Sequence, residues 1–597
     1  MAQALVRYLA AQKIENDGKI QPLFAGIWAI FGHGNVAGLG EALYQDRDTL
    51  PTLRAHNEQS MAHAAIAYAK TKNRRQIMAC TTSIGPGATN MVTAAALAHV
   101  NRLPVLFLPG DVFADRRPDP VLQQIENPAD PTITANDCFR PVSRYWDRIT
   151  RPEQLLTSLP RALAVLTDPI DCGPVTLSLC QDVQTEAGEF PESFFVERIH
   201  RPRCQSPDSV EIKNALALLS EAQKPLIIAG GGVHYSAAAD ILANFAQHRS
   251  VPVAETQAGK GALPWNHAFN VGSIGVTGSS AANTLAAEAD VILAIGTRLQ
   301  DFTTASRSLF KGQIIQLNVA ISDAGKHGAM PLVGDARLGL EALDKGLGKW
   351  SASPDWVVKT KNEIRIWNKT VDEALTPSNA KRPSDAEVIG AISRQAKPTD
   401  TIVCAAGGLP GELHKLWRTA QPGGYHVEYG YSCMGYEIAG GLGVRMAKTG
   451  GEVIVMVGDG SYLMLNSEIA TSVMMEKKLI IVVLDNHGFG CINRLQQSIG
   501  GDSFNNLLSG PAIDFAAHAA SLGAQSEKVK DIAALEAALT RARTSPKTYV
   551  IVIDTDPALS TKEGGAWWNV AVPEISPQKT VQKARSRYEE AIKGVKS

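Results

Sequence analysis

Short apolar runs, each followed by glycine or a polar residue, recur along most of the chain. Clear examples lie at 225–229, 291–295, 452–457 and 479–484. A strand buried on both faces of a parallel sheet is a continuous apolar run, and a crossover of a dozen or more residues must join it to its parallel neighbour. The spacing of the runs leaves room for such crossovers. The pattern therefore predicts an α/β fold of doubly wound parallel sheets.

Length and changes in local character predict three domains. A single core rarely grows beyond about 250 to 300 residues, and the chain has 597. Polar, proline-containing sequence after 185 and charged, tryptophan-containing sequence at 350–383 interrupt the strand pattern, and we expect both stretches to be linkers. We therefore expect an N-terminal domain at 1–185, a central domain at 206–345 and a C-terminal domain at 381–575. The first and third look like distant echoes, because in both the strands end in glycine turns.

Charge and cysteine content exclude several classes of partner. The chain has 58 basic and 59 acidic residues, so we expect no nucleic-acid and no membrane partner. Its eight cysteines are scattered without a CxxC pair, no charged-then-apolar leader opens the chain, and no apolar run approaches the ~18 residues of a membrane span. We expect a cytoplasmic, reduced protein that acts on a small molecule.

An aspartate and an asparagine follow two of the apolar runs. Gly458-Asp459-Gly460 follows one run, and Asn486-His487-Gly488 follows the next. Because ligands gather at the carboxyl ends of parallel strands, we expect these two side chains to face one small space. Carboxylate, amide and carbonyl oxygens suit Mg²⁺, which fills its remaining positions with water and phosphate oxygens. The alternative is a tight Asp-Gly turn, but 461–478 lacks glycine and proline and has mostly helical apolar spacing.

This spacing resembles the signature of thiamine-diphosphate enzymes, in which GDG is followed about two dozen residues later by asparagine. The resemblance implies thiamine diphosphate and Mg²⁺ as cofactors, with 381–575 as the diphosphate-binding domain and 1–185 as the pyrimidine-binding domain. It implies that Mg²⁺ is held by Asp459, Asn486 and the carbonyl of Gly488. Glycines after the strand-like run at 401–404 let backbone amides approach a diphosphate, or else form a plain turn. The implied diphosphate contacts are Gly407, Gly408, Gly458, Gly460 and Ser461.

The N-terminal third offers the glutamate that this family needs for the aminopyrimidine ring. Glu58 opens a predicted helix, and 85–90 (GPGATN) resembles a stretch of the acetolactate synthase group. A carboxyl group hydrogen-bonded to the ring makes the ring's amino group a base that activates the cofactor. An apolar surround favours the neutral carboxyl, so we expect Glu58 to be buried; its alternative role is to stabilise a helix N-terminus. Met434 matches the residue that props the bent cofactor, or is a core methionine.

Four further stretches resemble one group within this family, the trihydroxycyclohexanedione hydrolases of myo-inositol breakdown. They lie at 31–35, 109–124, 428–437 and 564–568, and the resemblance extends over 1–575. It implies hydrolytic C–C cleavage that opens the ring of 3D-(3,5/4)-trihydroxycyclohexane-1,2-dione to 5-deoxy-D-glucuronate. It also implies a homodimer or homotetramer with active sites at the subunit interface.

Polar side chains close to these stretches are candidates for substrate chemistry. His33 is the titratable side chain of its glycine loop, and an imidazole ionises near neutrality, so we expect it to be catalytic; its alternative role is structural. A polyol favours a site rich in hydrogen-bonding groups. Further candidates for substrate contacts are Thr82, Ser83, Gln123, Asn493, Arg494 and Trp567. Trp567 and Trp568 form either a lid or a packed anchor.

Other functions stay open at this point. A 2-oxoacid carboligase or decarboxylase of the acetolactate synthase type would share the cofactor residues, so only its products would differ. A cofactor-binding protein without activity is the second alternative. Gly230-Gly231-Gly232 would suit a flavin in the central domain, although we expect none. The glycines at 32–38 resemble a dinucleotide fingerprint, but the last one comes a position late.

Overall fold

The computed structural model describes residues 1–508 and 510–596 as two compact units. The first unit contains Met1–Arg203, Gly430–Thr449 and Leu465–Leu479. The second contains Cys204–Tyr429, Gly450–Met464 and Ile480–Ser597. In the described residues, three six-stranded sheets and one three-stranded sheet account for the strands. Nowhere in 1–508 or 510–596 does a helix combine the length and apolarity needed to cross a bilayer.

The first unit is built around the N-terminal sheet. Its strands are β1 (Gln12–Asn16), β2 (Lys19–Pro22), β3 (Phe24–Ala29), β4 (Thr52–Arg54), β5 (Ile77–Thr82), β6 (Leu106–Asp111), β7 (Tyr145–Ile149), β8 (Val175–Cys180) and β9 (Arg198–His200). Its N-terminal helices are α1 (Ala2–Ala10), α2 (Glu41–Gln45), α3 (Glu58–Thr71), α4 (Pro86–Asn90), α5 (Val92–Asn101) and α6 (Leu155–Leu166).

The N-terminal sheet has the order β4-β3-β5-β6-β8-β7 with all pairs parallel. Its inner strands β5, β6 and β8 are buried along their whole length, as continuous apolar runs predict. A small sheet of order β2-β1-β9 lies apart from it. Because β9 pairs with β1, the segment after residue 185 that the sequence predicts as a plain linker contains a strand of this unit.

The central sheet belongs to the second unit and has the order β12-β11-β10-β13-β14-β15, again all parallel. Its strands are β10 (Pro225–Ala229), β11 (Val253–Glu255), β12 (Asn270–Ser273), β13 (Val291–Ile295), β14 (Gln313–Asn318) and β15 (Met330–Val333). The helices around it are α7 (Ser209–Glu221), α8 (Gly232–Tyr235), α9 (Ala239–Arg249), α10 (Ser280–Glu288), α11 (Asp301–Thr304), α12 (Ile321–Ala324), α13 (Ala336–Gly346) and α14 (Pro354–Leu375).

The C-terminal sheet, also in the second unit, has the order β17-β16-β18-β19-β21-β20, all parallel. Its strands are β16 (Thr401–Cys404), β17 (Tyr425–Val427), β18 (Val453–Gly458), β19 (Ile480–Asp485), β20 (Gln525–Val529) and β21 (Tyr549–Asp554). Its helices are α15 (Asp385–Gln395), α16 (Leu409–Leu416), α18 (Asp459–Met464), α20 (Gly490–Ser498), α21 (Phe515–Ser521), α22 (Ile532–Thr544) and α23 (Lys579–Lys596). Parallel sheets covered by helices confirm the predicted α/β fold.

Two late helices pack in the first unit rather than the second. They are α17 (Tyr436–Ala447) and α19 (Glu468–Met474). Helix α17 packs closely on α3, and a side chain at Gly443 would lie 2.1 Å from the carbonyl oxygen of Ala64. Glycine is therefore required where the two helix backbones approach each other.

Two local expectations from the sequence are wrong. The stretch at 350–383 is not a plain linker, because Ser353 caps a helix over Pro354–Leu375, and Trp356, Trp367 and Val371 are buried on one face of this helix. The single helix expected at 461–478 is two helices, α18 and α19, separated by three residues. Helix α18 begins at Asp459 itself, where the positive end of the helix dipole favours a carboxylate.

Candidate functional site

Glu58 is the first residue of α3, and the helix cap sets its position. The Asn57 side chain accepts a hydrogen bond from the Ser60 backbone N–H at 2.9 Å, a standard N-cap. Asn90 Nδ2 donates to Glu58 Oε2 at 3.0 Å, and a side chain at Gly87 would lie 3.3 Å from Glu58 Oε1. The carboxyl group is half-buried rather than buried as predicted, because the opening turn of the helix lies at the surface of the unit.

The glycine loop after β3 meets two other predicted substrate residues. His33 Nε2 lies 3.0 Å from Gln123 Oε1, and the Gly34 backbone N–H donates to Ser83 Oγ at 3.3 Å. His33 and Gln123 are exposed, whereas Ser83 is half-buried. Thr82 is fully buried, and its hydroxyl donates to the Ser83 carbonyl at 2.9 Å. This bond helps to fix the backbone at Ser83. The structure therefore brings His33, Ser83 and Gln123 together.

Met434 lies in the same unit as Glu58, on the loop before α17. It is half-buried, and the chain turns sharply on both sides of it, with φ of 49° at Ser432 and 89° at Gly435. The neighbouring Cys433 Sγ accepts a hydrogen bond from Gln59 Nε2 at 3.7 Å. The loop that carries Met434 therefore contacts the first turn of α3, beside the glutamate.

In the second unit, three oxygen atoms converge at the ends of β18 and β19. The side-chain oxygen of Asn486 lies 2.8 Å from the Gly488 carbonyl oxygen and 3.3 Å from Asp459 Oδ1. With the amide turned over, its NH₂ group would donate to the same two oxygens. When the Asn486 side-chain oxygen faces Asp459 and Gly488, three hydrogen-bond acceptors lie close together without a donor. A cation between them would stabilise this orientation. The other oxygen of Asp459, Oδ2, accepts from the Gly488 backbone N–H at 2.7 Å, which fixes the carboxylate.

The electrostatic setting of Asp459 also favours a cation. Its side chain is fully buried. Burial raises the pKa of Asp459 to about 6, and the Asp485 carboxylate raises it further, while backbone N–H groups of the 486–488 turn and of Gly460 oppose the rise. A buried carboxylate near a second one gains most from an added positive charge.

The glycines predicted to hold a diphosphate differ in their surroundings. Gly407 has a φ of 84°, and a side chain there, like one at Gly458, would meet no atom within 4 Å. The space beside the Cα atoms of these two residues is therefore open. Gly460 has a different reason to be glycine, since a side chain would lie 2.6 Å from the ring of Phe489. Ser461 is buried in the first turn of α18.

The two candidates on α20 differ as well. A side chain at Gly408 would lie 2.8 Å from Arg494 Nη2, and Arg494 Nη1 donates to the Pro557 carbonyl at 2.7 Å. Arg494 therefore lies against the loop predicted to bind the diphosphate. Asn493 is buried, and its amide oxygen accepts from the Ser503 hydroxyl at 2.5 Å. The amide oxygen of Asn493 is therefore already hydrogen-bonded within the unit.

Two further buried carboxylates, Asp385 and Glu412, lie in this part of the second unit and are not among the residues predicted from the sequence. Burial raises the pKa of Asp385 to about 7, the Glu412 carboxylate adds to the rise, and Arg494 opposes it. Glu412 accepts from the Thr561 backbone N–H at 3.0 Å and from its hydroxyl at 2.5 Å. No local pattern distinguishes Asp385, because an aspartate directly after a capping serine is usual at any helix start.

The tryptophan pair is packed against the central domain. Trp568 Nε1 donates to Asp301 Oδ2 at 2.8 Å, and its ring centroid lies 5.2 Å from that of Phe302. Trp567 is half-buried. Positive φ at Gly564 and Gly565 turns the chain just before the pair. These contacts favour the packed anchor over the lid.

The triple glycine of the central sheet has a structural reason. A side chain at Gly230 would lie 2.5 Å from the Gly296 carbonyl oxygen, and one at Gly232 would lie 2.5 Å from Gly296 Cα. The turns after the neighbouring strands β10 and β13 therefore pack backbone against backbone. The absence of a flavin stays a prediction.

Models of one protein family match three parts of the chain. The N-terminal TPP binding domain of thiamine pyrophosphate enzymes matches residues 26–130, the central domain matches 212–343, and the C-terminal TPP binding domain matches 405–553. The chain belongs to the thiamine pyrophosphate enzyme family. The three matches confirm the predicted domain types and lie inside the predicted domains, whose boundaries stay predictions.

Relatives within the thiamine pyrophosphate enzyme family align with nearly the whole chain. A protein of Geobacillus thermodenitrificans (strain NG80-2) named 3D-(3,5/4)-trihydroxycyclohexane-1,2-dione hydrolase is 47% identical over 99% of this chain and 98% of its own length. A protein of the same name from Bacillus cereus (strain AH820) is 45% identical over 98% of this chain and 97% of its own. A third, from Bacillus thuringiensis (strain Al Hakam), is 44% identical over the same shares.

Proposed function

We propose that this chain is a thiamine-diphosphate-dependent hydrolase that cleaves the C–C bond between the two carbonyl carbons of 3D-(3,5/4)-trihydroxycyclohexane-1,2-dione. The product is the ring-opened acid, 5-deoxy-D-glucuronate. The observation that carries the proposal is the end-to-end similarity, at 47% identity, to a relative of that name. The grouping of His33, Ser83 and Gln123 supports it, because a polyol needs such hydrogen-bonding groups.

The second unit suits the diphosphate end of the cofactor with Mg²⁺. Octahedral Mg²⁺ has ligands at about 2.1 Å, so adjacent ligands are about 3 Å apart. The Asn486 oxygen has its two oxygen neighbours at 2.8 and 3.3 Å, which supports Asp459, Asn486 and the Gly488 carbonyl as the metal ligands. The open space beside the Cα atoms of Gly407 and Gly458 supports the diphosphate contacts.

When bound, thiamine diphosphate supplies a carbon nucleophile and an electron sink for the cleaved bond. Glu58 holds the proton that the aminopyrimidine ring requires, at the carboxyl oxygen facing Gly87, while Asn90 fixes the other oxygen. The absence of a side chain at Gly87 leaves room beside Glu58 Oε1 for a planar ring. Met434 supports the bend of the cofactor from the same unit.

His33 activates the water that enters the product. In the tautomer in which Gln123 Oε1 accepts from His33 Nε2–H, the other ring nitrogen, Nδ1, is an acceptor. An unprotonated imidazole nitrogen can take a proton from water as it adds to the second carbonyl. Ser83 and Gln123 bind the ring hydroxyls, and Arg494 contributes positive charge near the diphosphate. Asn493 and Trp567 remain weaker substrate candidates, since Asn493 is already bonded and Trp567 lies beside a packed anchor.

We also propose a homodimer or homotetramer in which two copies complete each active site, one with Glu58 and the other with Asp459. Co-expression of Glu58→Gln and Asp459→Asn chains tests it. In mixed dimers one site then carries both substitutions and the other carries neither, so activity returns although each variant alone is inactive. No recovery in purified mixed oligomers contradicts the shared site. Cytoplasmic location stays a prediction.

The assignment of substrate is tested with purified protein, thiamine diphosphate and Mg²⁺. The dione and pyruvate are supplied in separate reactions, and products are identified by mass spectrometry. A ring-opened acid from the dione, with one oxygen atom from ¹⁸O-labelled water, is the expected result. Acetolactate or acetaldehyde from pyruvate, with no turnover of the dione, replaces the hydrolase with a carboligase or decarboxylase. Cofactor binding without any product indicates an inactive cofactor-binding protein.

A further inference from the structure

A long loop of the first unit, residues 112–134, carries Gln123 to His33. The loop leaves the end of β6 and reaches a short 3-10 helix at Ala135–Val142. Gln123 has a φ of 68°, and a side chain at Gly85 would lie only 1.7 Å from the Gln123 carbonyl oxygen. The loop is therefore seated on the glycine turn after β5. The Gln123 side chain itself is exposed, so other contacts of the loop, including those at its base, must help to hold it there.

One guanidinium group joins both ends of this loop. Arg148 lies on β7, with its side chain 15% exposed. Its Nε donates to Asp111 Oδ2 at 2.7 Å, at the point where the loop begins. Its Nη1 donates to the Thr132 carbonyl at 2.9 Å, and its Nη2 donates at 2.8 Å to both Thr134 Oγ1 and Asp137 Oδ2, where the loop ends.

A second set of buried bonds closes the same base. The Ser178 hydroxyl donates to Asp111 Oδ2 at 2.5 Å. Asn136 Nδ2 donates to Ser178 Oγ at 2.6 Å and to the Gly110 carbonyl at 2.8 Å. Asp111, Asn136 and Ser178 are fully buried. Residues 110–111 and 132–137 are thus tied together through β7 and β8.

We propose that Arg148 is a positioning residue that closes the base of the 112–134 loop and thereby holds Gln123 against His33. The inference rests on the proposed function, because it takes these two side chains as facing the substrate. Arginine suits the task because its planar fork presents donors in several fixed directions, which a lysine ammonium cannot do. Recognition of a polyol needs hydrogen-bonding groups held to within a fraction of an ångström.

The test compares Arg148→Met and Arg148→Lys with a matched control, Arg140→Met. Arg140 also bonds Asp137, at 2.6 Å, and lies over the ring of Trp146 at 3.8 Å, but its contacts are confined to the end of the loop. Hydrogen exchange of the backbone amides of 112–134 is measured in each. Both Arg148 variants are expected to exchange at least about tenfold faster there than Arg140→Met.

Steady-state kinetics with the dione supply the functional readout. A loosened loop is expected to lower kcat/KM by about 10- to 100-fold, mostly through KM, while the affinity for thiamine diphosphate with Mg²⁺ stays at the wild-type value. The double variant Arg148→Met/Asp111→Asn removes the unpaired buried charge if the single variant fails to fold. Exchange and kinetics that match Arg140→Met in all Arg148 variants overturn the inference.

Gln123→Ala separates this inference from the proposed function. If Gln123→Ala leaves KM unchanged, Gln123 does not contact the substrate, and that part of the proposed function fails. Loop exchange in the Arg148 variants still decides whether Arg148 closes the loop base. If Gln123→Ala raises KM and the Arg148 variants raise it no further when combined with Gln123→Ala, the two residues act through one contact, which supports the inference.

Discussion

The N-terminal and C-terminal sheets have the same strand order, so that β4, β3, β5 and β6 occupy the places of β17, β16, β18 and β19. The candidate residues follow these same four strands in both. Glu58 follows β4 as Met434 follows β17, and Asp459 follows β18 in the place where the GPG turn follows β5. One topology therefore offers the same four strand ends twice, and the residue types placed there decide the chemistry.

The two sheets differ in how deeply their candidate residues are buried. In the C-terminal sheet the Asp459 side chain is fully buried and meets its predicted co-ligands directly. In the N-terminal sheet Glu58 is half-buried, and His33 and Gln123 are exposed. The protein ligands of a metal ion lie within about 3 Å of the ion, so they are close together before it binds. Residues that bind a planar ring and a polyol are covered only when those ligands are present. We expect substitutions in the two halves to fail in different ways.

The largest effect is expected from Asp459→Asn. This change keeps an acceptor for the Gly488 backbone N–H but removes the negative charge that Mg²⁺ needs. Loss of an outer partner of a metal ligand typically costs 10- to 100-fold in metal affinity, so loss of a direct ligand should cost at least about 100-fold, and turnover should vanish. Calorimetric titration with thiamine diphosphate at fixed Mg²⁺ measures it, with chelator-treated wild type as the reference. Wild-type affinity in the variant would remove Asp459 from the metal site.

Glu58→Gln should abolish chemistry without abolishing binding. The amide cannot supply the carboxyl proton, so kcat should fall by about 10² to 10⁴-fold, while cofactor affinity changes by less than about threefold. Asp355→Asn is the control, because Asp355 is also a carboxylate in the first turn of a capped helix, α14. If both variants lose activity equally, or neither does, Glu58 is merely a favourable charge at a helix N-terminus.

Asn90→Ala should have a smaller effect of the same kind. It removes the 3.0 Å bond to Glu58 Oε2, and a hydrogen bond to a neutral carboxyl group is worth about 0.5 to 1.5 kcal/mol, which corresponds to roughly a 2- to 12-fold fall in kcat. The loss should disappear in a Glu58→Gln background, where a double-mutant cycle measures it. An equal loss in both backgrounds would mean that Asn90 acts elsewhere.

Gly232→Ala extends the comparison to the central sheet, and its effect should fall on stability alone. The added methyl group would meet Gly296 Cα at 2.5 Å, and overpacking of this kind costs about 1 to 3 kcal/mol of unfolding free energy. Chemical denaturation followed by circular dichroism measures it, and kcat should stay at the wild-type value. Reduced activity at unchanged stability would instead point to a ligand beside these glycines.

Local signals in the sequence account for much of the fold and of the metal half of the site. The predicted strands at 225–229, 313–318 and 401–404 coincide with β10, β14 and β16, and β10 and β16 are buried along their whole length. The spacing of Asp459 and Asn486 likewise indicates by itself that the two residues follow neighbouring strands. Both features depend on residues close together in the chain.

Features that depend on long-range contacts were not predictable. Arg148 contacts Asp111 and Thr132 across 37 and 16 positions, and no pattern around Arg148 indicates those partners. The helix over Pro354–Leu375 was not predicted, because the many charged residues on its exposed face are typical of a linker. The burial of Trp356 and Trp367 on its other face depends on tertiary contacts. The half-exposed setting of Glu58 depends on what covers the first turn of α3, which lies beyond any local signal.

The packing of α17 on α3 also has a consequence for biosynthesis. Helix α3 emerges early from the ribosome, but the segments that complete its unit end only at Thr449 and Leu479. At about 5 to 20 residues per second, some 15 to 55 seconds of translation separate the end of the N-terminal part from its last partner segment. During that interval the alanine-rich face of α3 lacks the helix that covers it in the complete unit.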